Sequence, residues 1–293
     1  MPFTVPESFA KLRSNLEITF PQATTVSTRQ QGVRATIADG FKIIEDFLTG
    51  SYIRSTMISP LKEADVDIFV ALDPSYYRHY NGQNGGQRGL LDYMRRTLLK
   101  TYTSTPDISR NGQAVTIRFS DFVVDVVVGF QRLGGGYIIA NANNNQWLET
   151  DPKKHVEIMA TANKAHKGNL VPIIKMLKSW NKSHSYLLRS FHIEVLALEV
   201  FQNVTITDYP SGIRFFFDRA QARVTEQNLD PAGFGDDIGR YLNSQEKVHE
   251  VIDRLQTGFK QAVKAEKYAA AGDPISAIAQ WRKIMPNHFP AYG

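Results

Sequence analysis

Cysteine is absent from this chain of 293 residues. Disulfides and thiolate metal sites are therefore excluded. No apolar run approaches the ~20 residues that a membrane-spanning helix needs. The opening residues, MPFTVPESFAKLRSN, lack the apolar stretch of a secretory leader, so a soluble, cytoplasmic protein without a membrane role is expected. Long basic runs and aromatic-interleaved RNA motifs are also missing, as are tandem repeats and a low-complexity tail. The net charge of +5 and the isoelectric point near 9.2 are matched by polyanionic triphosphates drawn to a cationic cleft and equally by nucleic acid, for which the sequence makes no demand. A stable nucleic-acid partner is not implied.

What the chain does carry is concentrated between Gly50 and Val70, GSYIRSTMISPLKEADVDIFV. A Gly-Ser turn and a short basic loop lead into Asp65-Val66-Asp67-Ile68-Phe69-Val70, which reads as a strand. Side chains alternate along a strand. Val66, Ile68 and Val70 therefore share one face, and Asp65 and Asp67 project together from the other. Asp is depleted in strands, and two like charges at such spacing need compensation. A later segment, Ala114 to Phe119, and the run Phe122 to Val128 read as a hairpin turning at Ser120-Asp121. Val123, Asp125 and Val127 share a face of its second strand, so Asp125 completes the carboxylate set if the hairpin packs beside the first strand.

Hard divalent cations compensate such a set, and Mg2+ favours a few carboxylates together with waters and substrate phosphates. Two Mg2+ ions, with Mn2+ able to substitute, suit in-line phosphoryl transfer, and Asp125 is placed to take the proton of an attacking hydroxyl. Gly50 lets the backbone approach a triphosphate, to which N–H groups and the Ser51 hydroxyl donate, and Thr56 is expected to support that loop.

The ordered set GSYIRST, DVDIF and VDVVV resembles the polymerase-β-type nucleotidyltransferase superfamily. IIKMLKSWNKSHSYLLRSFHIEVLALEVF, residues 173–201, is similar to the helical half of the bacterial cGAS/DncV-like nucleotidyltransferases. The resemblance runs from about Thr25 to Phe201. It implies an α/β (α+β) fold: a polymerase-β-like core with a mixed sheet over residues 1–150, a helical lobe over 151–293, and a nucleotide cleft between them. It further implies that NTPs are joined into a cyclic di- or trinucleotide messenger for anti-phage defence, with pyrophosphate released and the effector reached only through the product. In the helical lobe it implies donor-triphosphate contacts for Lys175 and Lys178, a terminal-phosphate contact for Ser190, and base stacking for Phe191, where many relatives carry Tyr.

Read without the resemblance, Lys175, Lys178 and Lys182 lie on one face of a helix with Ile174, Leu177 and Trp180 on its apolar side. Phe191 and His192 are by default packing residues. Elsewhere, the spacing predicts helices at Pro6–Ile18, at Thr25–Phe47 with a cap near Ser27 and a stripe of Val33, Ile37, Phe41 and Ile44, and at Gly89–Tyr102. The residues from Tyr80 to Gln87 read as a loop. Gly134-Gly135-Gly136 and the Asn-rich 141–146 segment flank a short strand. Asp151-Pro152 opens the helical lobe, and Gly168-Asn169 interrupts it. A long helix over Ser244–Ala271, with Val248, Val251, Ile252, Leu255, Phe259 and Val263 as its stripe, stops at Gly272. Asp273-Pro274 opens the last helix. The final HFPAYG is expected to be exposed, and some relatives are joined at their last residue to other molecules by a ubiquitin-transfer-like enzyme, a partner that Gly293 would suit. Two alternatives remain in view: a template-independent RNA or tRNA nucleotidyltransferase, which needs an extended RNA surface, and a catalytically silent nucleotide-binding module, against which the three aspartates argue.

Overall fold

A computed structural model of the protein describes residues 3–104 and 107–293. In chain order the elements are α1 (Val5–Leu16), α2 (Phe20–Gly40), β1 (Ile43–Thr49), a single turn α3 (Gly50–Ile53), β2 (Asp65–Leu72), α4 (Pro74–Asn81) and α5 (Gly86–Thr101). Strands β3 (Asp107–Asn111), β4 (Ala114–Arg118), β5 (Val123–Gln131), β6 (Tyr137–Asn141) and β7 (Gln146–Thr150) follow. The remainder is helical: α6 (Pro152–Ala165), α7 (Leu170–Ser183), α8 (Ser190–Val200), α9 (Tyr209–Arg223), α10 (Gln245–Ala270) and α11 (Pro274–Ile284). The chain forms two compact units, Ile18–Glu157 and, together, Met1–Glu17 with Ile158–Gly293. Helix α1 thus groups with the later helices, and α6 runs across the boundary near residue 157.

The first unit is built on a mixed sheet in the order β1-β2-β5-β4-β3, with β6 on β5 and β7 on β6. The β2–β5 pair is parallel, and every other pair is antiparallel. On one face Val66, Ile68, Val70, Leu72, Val124, Val126 and Val128 meet Val33 and Ile37 of α2 and Leu90, Leu91, Met94 and Leu98 of α5, all fully or almost fully buried. A strand buried against helices reads as a nearly continuous apolar run, which is how β2 and β5 look in sequence. The opposite face carries only a small cluster of Phe69, Ala71, Tyr137 and Ile139 beside Phe47, and it leaves room for polar side chains.

The helix expected from Thr25 to Phe47 is corrected. It starts at Phe20, capped by the Thr19 hydroxyl, and ends at Gly40, where the two helices lie so close that a Cβ would stand 2.4 Å from the Thr97 Cγ2 of α5. Residues 43–49 form β1 instead, antiparallel to β2. Phe41 and Ile44 happen to continue the helical spacing, yet Ile44 is 49% exposed. Pairing with β2 outweighed local periodicity. The loop expected over 80–87 is shorter, because α4 and α5 take its two ends. Strand β3, strand β7 and helix α9 had no counterpart among the expected elements.

In the second unit Phe9 of α1 packs edge-on against Trp281 and Phe289, with ring centroids 4.9 and 5.1 Å away. Phe289 is buried, so the final segment is anchored rather than exposed throughout. The stripe of α10 is also rotated from the expected one. Its buried line is Val251, Leu255, Gly258, Ala262 and Ala265, because small residues admit α9 closely. A Cβ on Gly258 would come within 2.9–3.1 Å of the Phe217 ring, and Phe217 is fully buried.

Gly258→Ala therefore sets a helix-propensity gain of ~1 kcal/mol against an overpacking cost of ~1–3 kcal/mol. The expected outcome is a net loss of stability, read as a lower urea midpoint with an unchanged m-value.

Candidate active site

Strand β1 delivers its last residue, Thr49, opposite Asp67, and the chain then turns at Gly50 with φ +69°. That left-handed conformation suits glycine. A second constraint is steric: a Cβ on Gly50 would lie 1.7 Å from the Asp67 Oδ2, so the turn and the carboxylate are in direct contact. The loop closes on itself through the Ser51 carbonyl, which accepts from the N–H of Thr56 at 2.9 Å and of Met57 at 3.0 Å. Thr56 is fully buried and brings its hydroxyl to the same carbonyl at 3.5 Å.

Asp67 pairs in parallel register with Asp125, and Asp125 pairs with Thr116 of β4, which pairs with Ser109 of β3. Registered neighbours share a face, so Thr49, Asp67, Asp125, Thr116 and Ser109 form one polar row across five strands. The neighbouring row places Asp65, Val123 and Arg118 side by side. Burial pushes the Asp125 carboxyl above its usual range, the Thr116 hydroxyl bond opposes this, the Asp65 carboxylate adds to it and Arg118 opposes it. Asp125 thus senses Asp65 as well as its own burial.

Among the described residues no three His, Cys, Asp or Glu side chains stand gathered as a ready-made metal cluster. The donor set nonetheless fits a hard divalent ion. It is made of carboxylate and hydroxyl oxygens, and Asp125 is held in a setting where its charge is disfavoured until a cation arrives.

In the other unit, Lys175 and Lys178 are not on a solvated face. Both are buried, with 6% and 5% exposure. The Lys175 ammonium lies 2.7 Å from Glu17, and that of Lys178 2.6 Å from the fully buried Glu194. Lys182 is half-buried. Ser190 opens α8 with its hydroxyl 2.9 Å from that of Tyr186, and Phe191 follows in the same first turn, half-buried. His192 is fully buried. Its Nδ1 lies 2.9 Å from the Tyr241 hydroxyl and its Nε2 2.6 Å from the Asn228 Oδ1. Burial lowers its pKa and pushes the Tyr241 phenol up to about 12. Both are satisfied, neutral packing groups.

Thr116, Arg118, Ser109 and Thr49 were not anticipated at the site. The hairpin reading already put Thr116 and Arg118 on the strand facing Asp125, and the alternation within Ala114–Arg118 was the available signal. Thr49 and Ser109 depended on strands that periodicity did not reveal.

A mixed sheet whose parallel central pair aligns two aspartates beside a Gly-Ser turn is the polymerase-β-like core fold that the resemblance implied. Residues 3–163 match the family described as the Second Messenger Oligonucleotide or Dinucleotide Synthetase domain, SMODS, and the chain belongs to that family. It is 25% identical over 316 residues to the cyclic AMP-AMP-AMP synthase of Acinetobacter sp. (strain ATCC 27244 / 9458), covering 98% of this chain and 86% of that protein. Its fold is shared with E. coli MS115-1 CdnC, solved with ATP (TM-score 0.75, 18% identity, 98% and 99% of the two chains). It is shared too with Bradyrhizobium diazoefficiens CD-NTase CdnG, solved with GTP (TM-score 0.72, 14% identity, 96% and 94%). The expected fold class and family hold, and the chain is a nucleotidyltransferase of the cyclic-nucleotide second-messenger class. Among the described residues no helix is long and apolar enough to cross a membrane.

Gly50→Ala tests the contact between turn and carboxylate. Displacement of reacting groups by ~1 Å costs about 100-fold in rate. A loss of that order in turnover is expected, with the circular dichroism spectrum of the folded protein retained.

Proposed function

We propose that the chain joins nucleoside triphosphates into a cyclic di- or trinucleotide in a metal-dependent reaction, and that Asp65, Asp67 and Asp125 are its catalytic carboxylates. The observation that carries this reading is the pairing of Asp67 with Asp125 beside a Gly50 turn pressed against Asp67. The three aspartates would hold two Mg2+ ions, or Mn2+ in their place. Bound there, the ions would neutralise charge on the transferred phosphoryl group and on the attacking and leaving oxygens.

The remaining work falls to the chain. Gly50 and Ser51 hold the donor triphosphate through backbone N–H groups and a hydroxyl, with Thr56 supporting the turn. In the helical unit Lys175, Lys178 and Ser190 are the proposed phosphate contacts, and Phe191 the proposed base-stacking residue. Asp125 receives the proton of the attacking 2′- or 3′-hydroxyl. The hydroxyl oxygen bonds to the α-phosphorus as the bond to pyrophosphate breaks. A repeat of this step within the linear product closes the ring. The soluble product carries the anti-phage signal to its effector in the cytoplasm. The name of the Acinetobacter relative, cyclic AMP-AMP-AMP synthase, makes ATP the first substrate to try.

Incubation with four NTPs and Mg2+ or Mn2+, followed by phosphatase and mass spectrometry, tests this. A phosphatase-resistant cyclic product is expected, absent in Asp65→Ala/Asp67→Ala. Label appearing instead in added tRNA would overturn the reading.

We propose further that, where Gly293 ends the native chain, its carboxyl group is the point of conjugation by a ubiquitin-transfer-like partner. Co-expression with such an enzyme is expected to yield adducts that Gly293→Glu abolishes, and a wild type without adducts would retire the idea.

A further inference from the structure

We infer that Thr116 is a positioning residue for the reaction: its hydroxyl fixes the orientation of the Asp125 carboxylate and so sets how well the site holds its divalent ion. The inference rests on the proposed role of Asp125. Thr116 is 2% exposed, and its Oγ1 lies 2.5 Å from the Asp125 Oδ1. A carboxylate only accepts, so the hydroxyl donates. Short bonds of this charged kind are the strong ones.

The surroundings give the bond its consequence. Asp125 lies on β5 between Asp67 of β2 on one side and Thr116 of β4 on the other. Without a donor from β4, nothing on that side would fix the orientation of the Asp125 carboxylate beside its registered neighbour Asp67. With Oδ1 tied to β4, the carboxylate plane is set by a rigid β-hairpin rather than by its own rotamer preference, and Oδ2 is left for an ion. Arg118, two residues on and on the same face, is engaged with Asp107 and with the Ser109 hydroxyl, at 3.5 and 3.4 Å. Thr116 is accordingly the β4 side chain bonded to Asp125. Groups that orient a metal ligand in this way are worth 10–100-fold in metal affinity or activity when removed.

The test compares Thr116→Val, which keeps the β-branched shape but not the hydroxyl, with Thr116→Ser, which keeps the hydroxyl. Mn2+ binding is measured by electron paramagnetic resonance in the presence of a non-hydrolysable ATP analogue, alongside initial rates at varied Mn2+. Thr116→Val is expected to weaken Mn2+ binding and raise the Mn2+ requirement by about 10–100-fold, with the KM for NTP at saturating Mn2+ nearly unchanged. Thr116→Ser is expected to restore most of both. Wild-type Mn2+ affinity and rate in Thr116→Val overturn the inference, as does a defect in Thr116→Val that Thr116→Ser shares while both melt like the wild type. Absence of Mn2+ binding and of product in the wild type itself would instead overturn the proposed function.

Discussion

The parallel pairing of β2 with β5 is the constraint on which the site depends. Parallel strands are joined only by a long crossover, here the stretch from Asp73 to Phe122 that contains α4, α5 and two further strands. Once the pair forms, its register decides two things together. It sends Val66, Ile68, Val70, Val124, Val126 and Val128 into the helix-covered core, and it sets Asp67 against Asp125 on the other face. A slip of one residue would invert both faces at once. Burial of the apolar face thus enforces an alignment of like charges that the carboxylates alone would resist.

The helical unit handles charge differently. Lys178 is buried against the fully buried Glu194, and the buried Lys175 reaches the half-exposed Glu17, so both long side chains are held in place. Removing one partner of a buried pair costs more than the pair contributes. Each lysine therefore comes with its own carboxylate partner.

Much of this was legible in the sequence. The DxD strand, the hairpin carrying Asp125 and the helix starts at Asp151-Pro152 and Asp273-Pro274 rest on local alternation and capping chemistry, and all four appear as expected. Asp73-Pro74 and Asp208-Tyr209-Pro210 carry the same start signal and open α4 and α9. They show that the code was present at more places than were read. The strand β1 was hidden because Phe41 and Ile44 mimic a helical period. The burial of Lys175 and Lys178 was hidden because their partners are distant or lie on another helix. Thr116 falls between these cases. Its face could be read, whereas its bond to Asp125 depends on side-chain placement.

The Gly50 turn and Asp67 meet through neighbouring antiparallel strands, separated by residues 50–64, far fewer than the crossover. The meeting of Asp67 with Asp125 must wait for the whole crossover, whose closure entropy is met before any contact repays it. During synthesis the two halves of the site therefore arise at different times. A nascent chain halted before β5 emerges already has the strands to seat the turn against Asp67, but it has no second strand to bring Asp125. The contact between the turn and Asp67 thus precedes the alignment of the two aspartates.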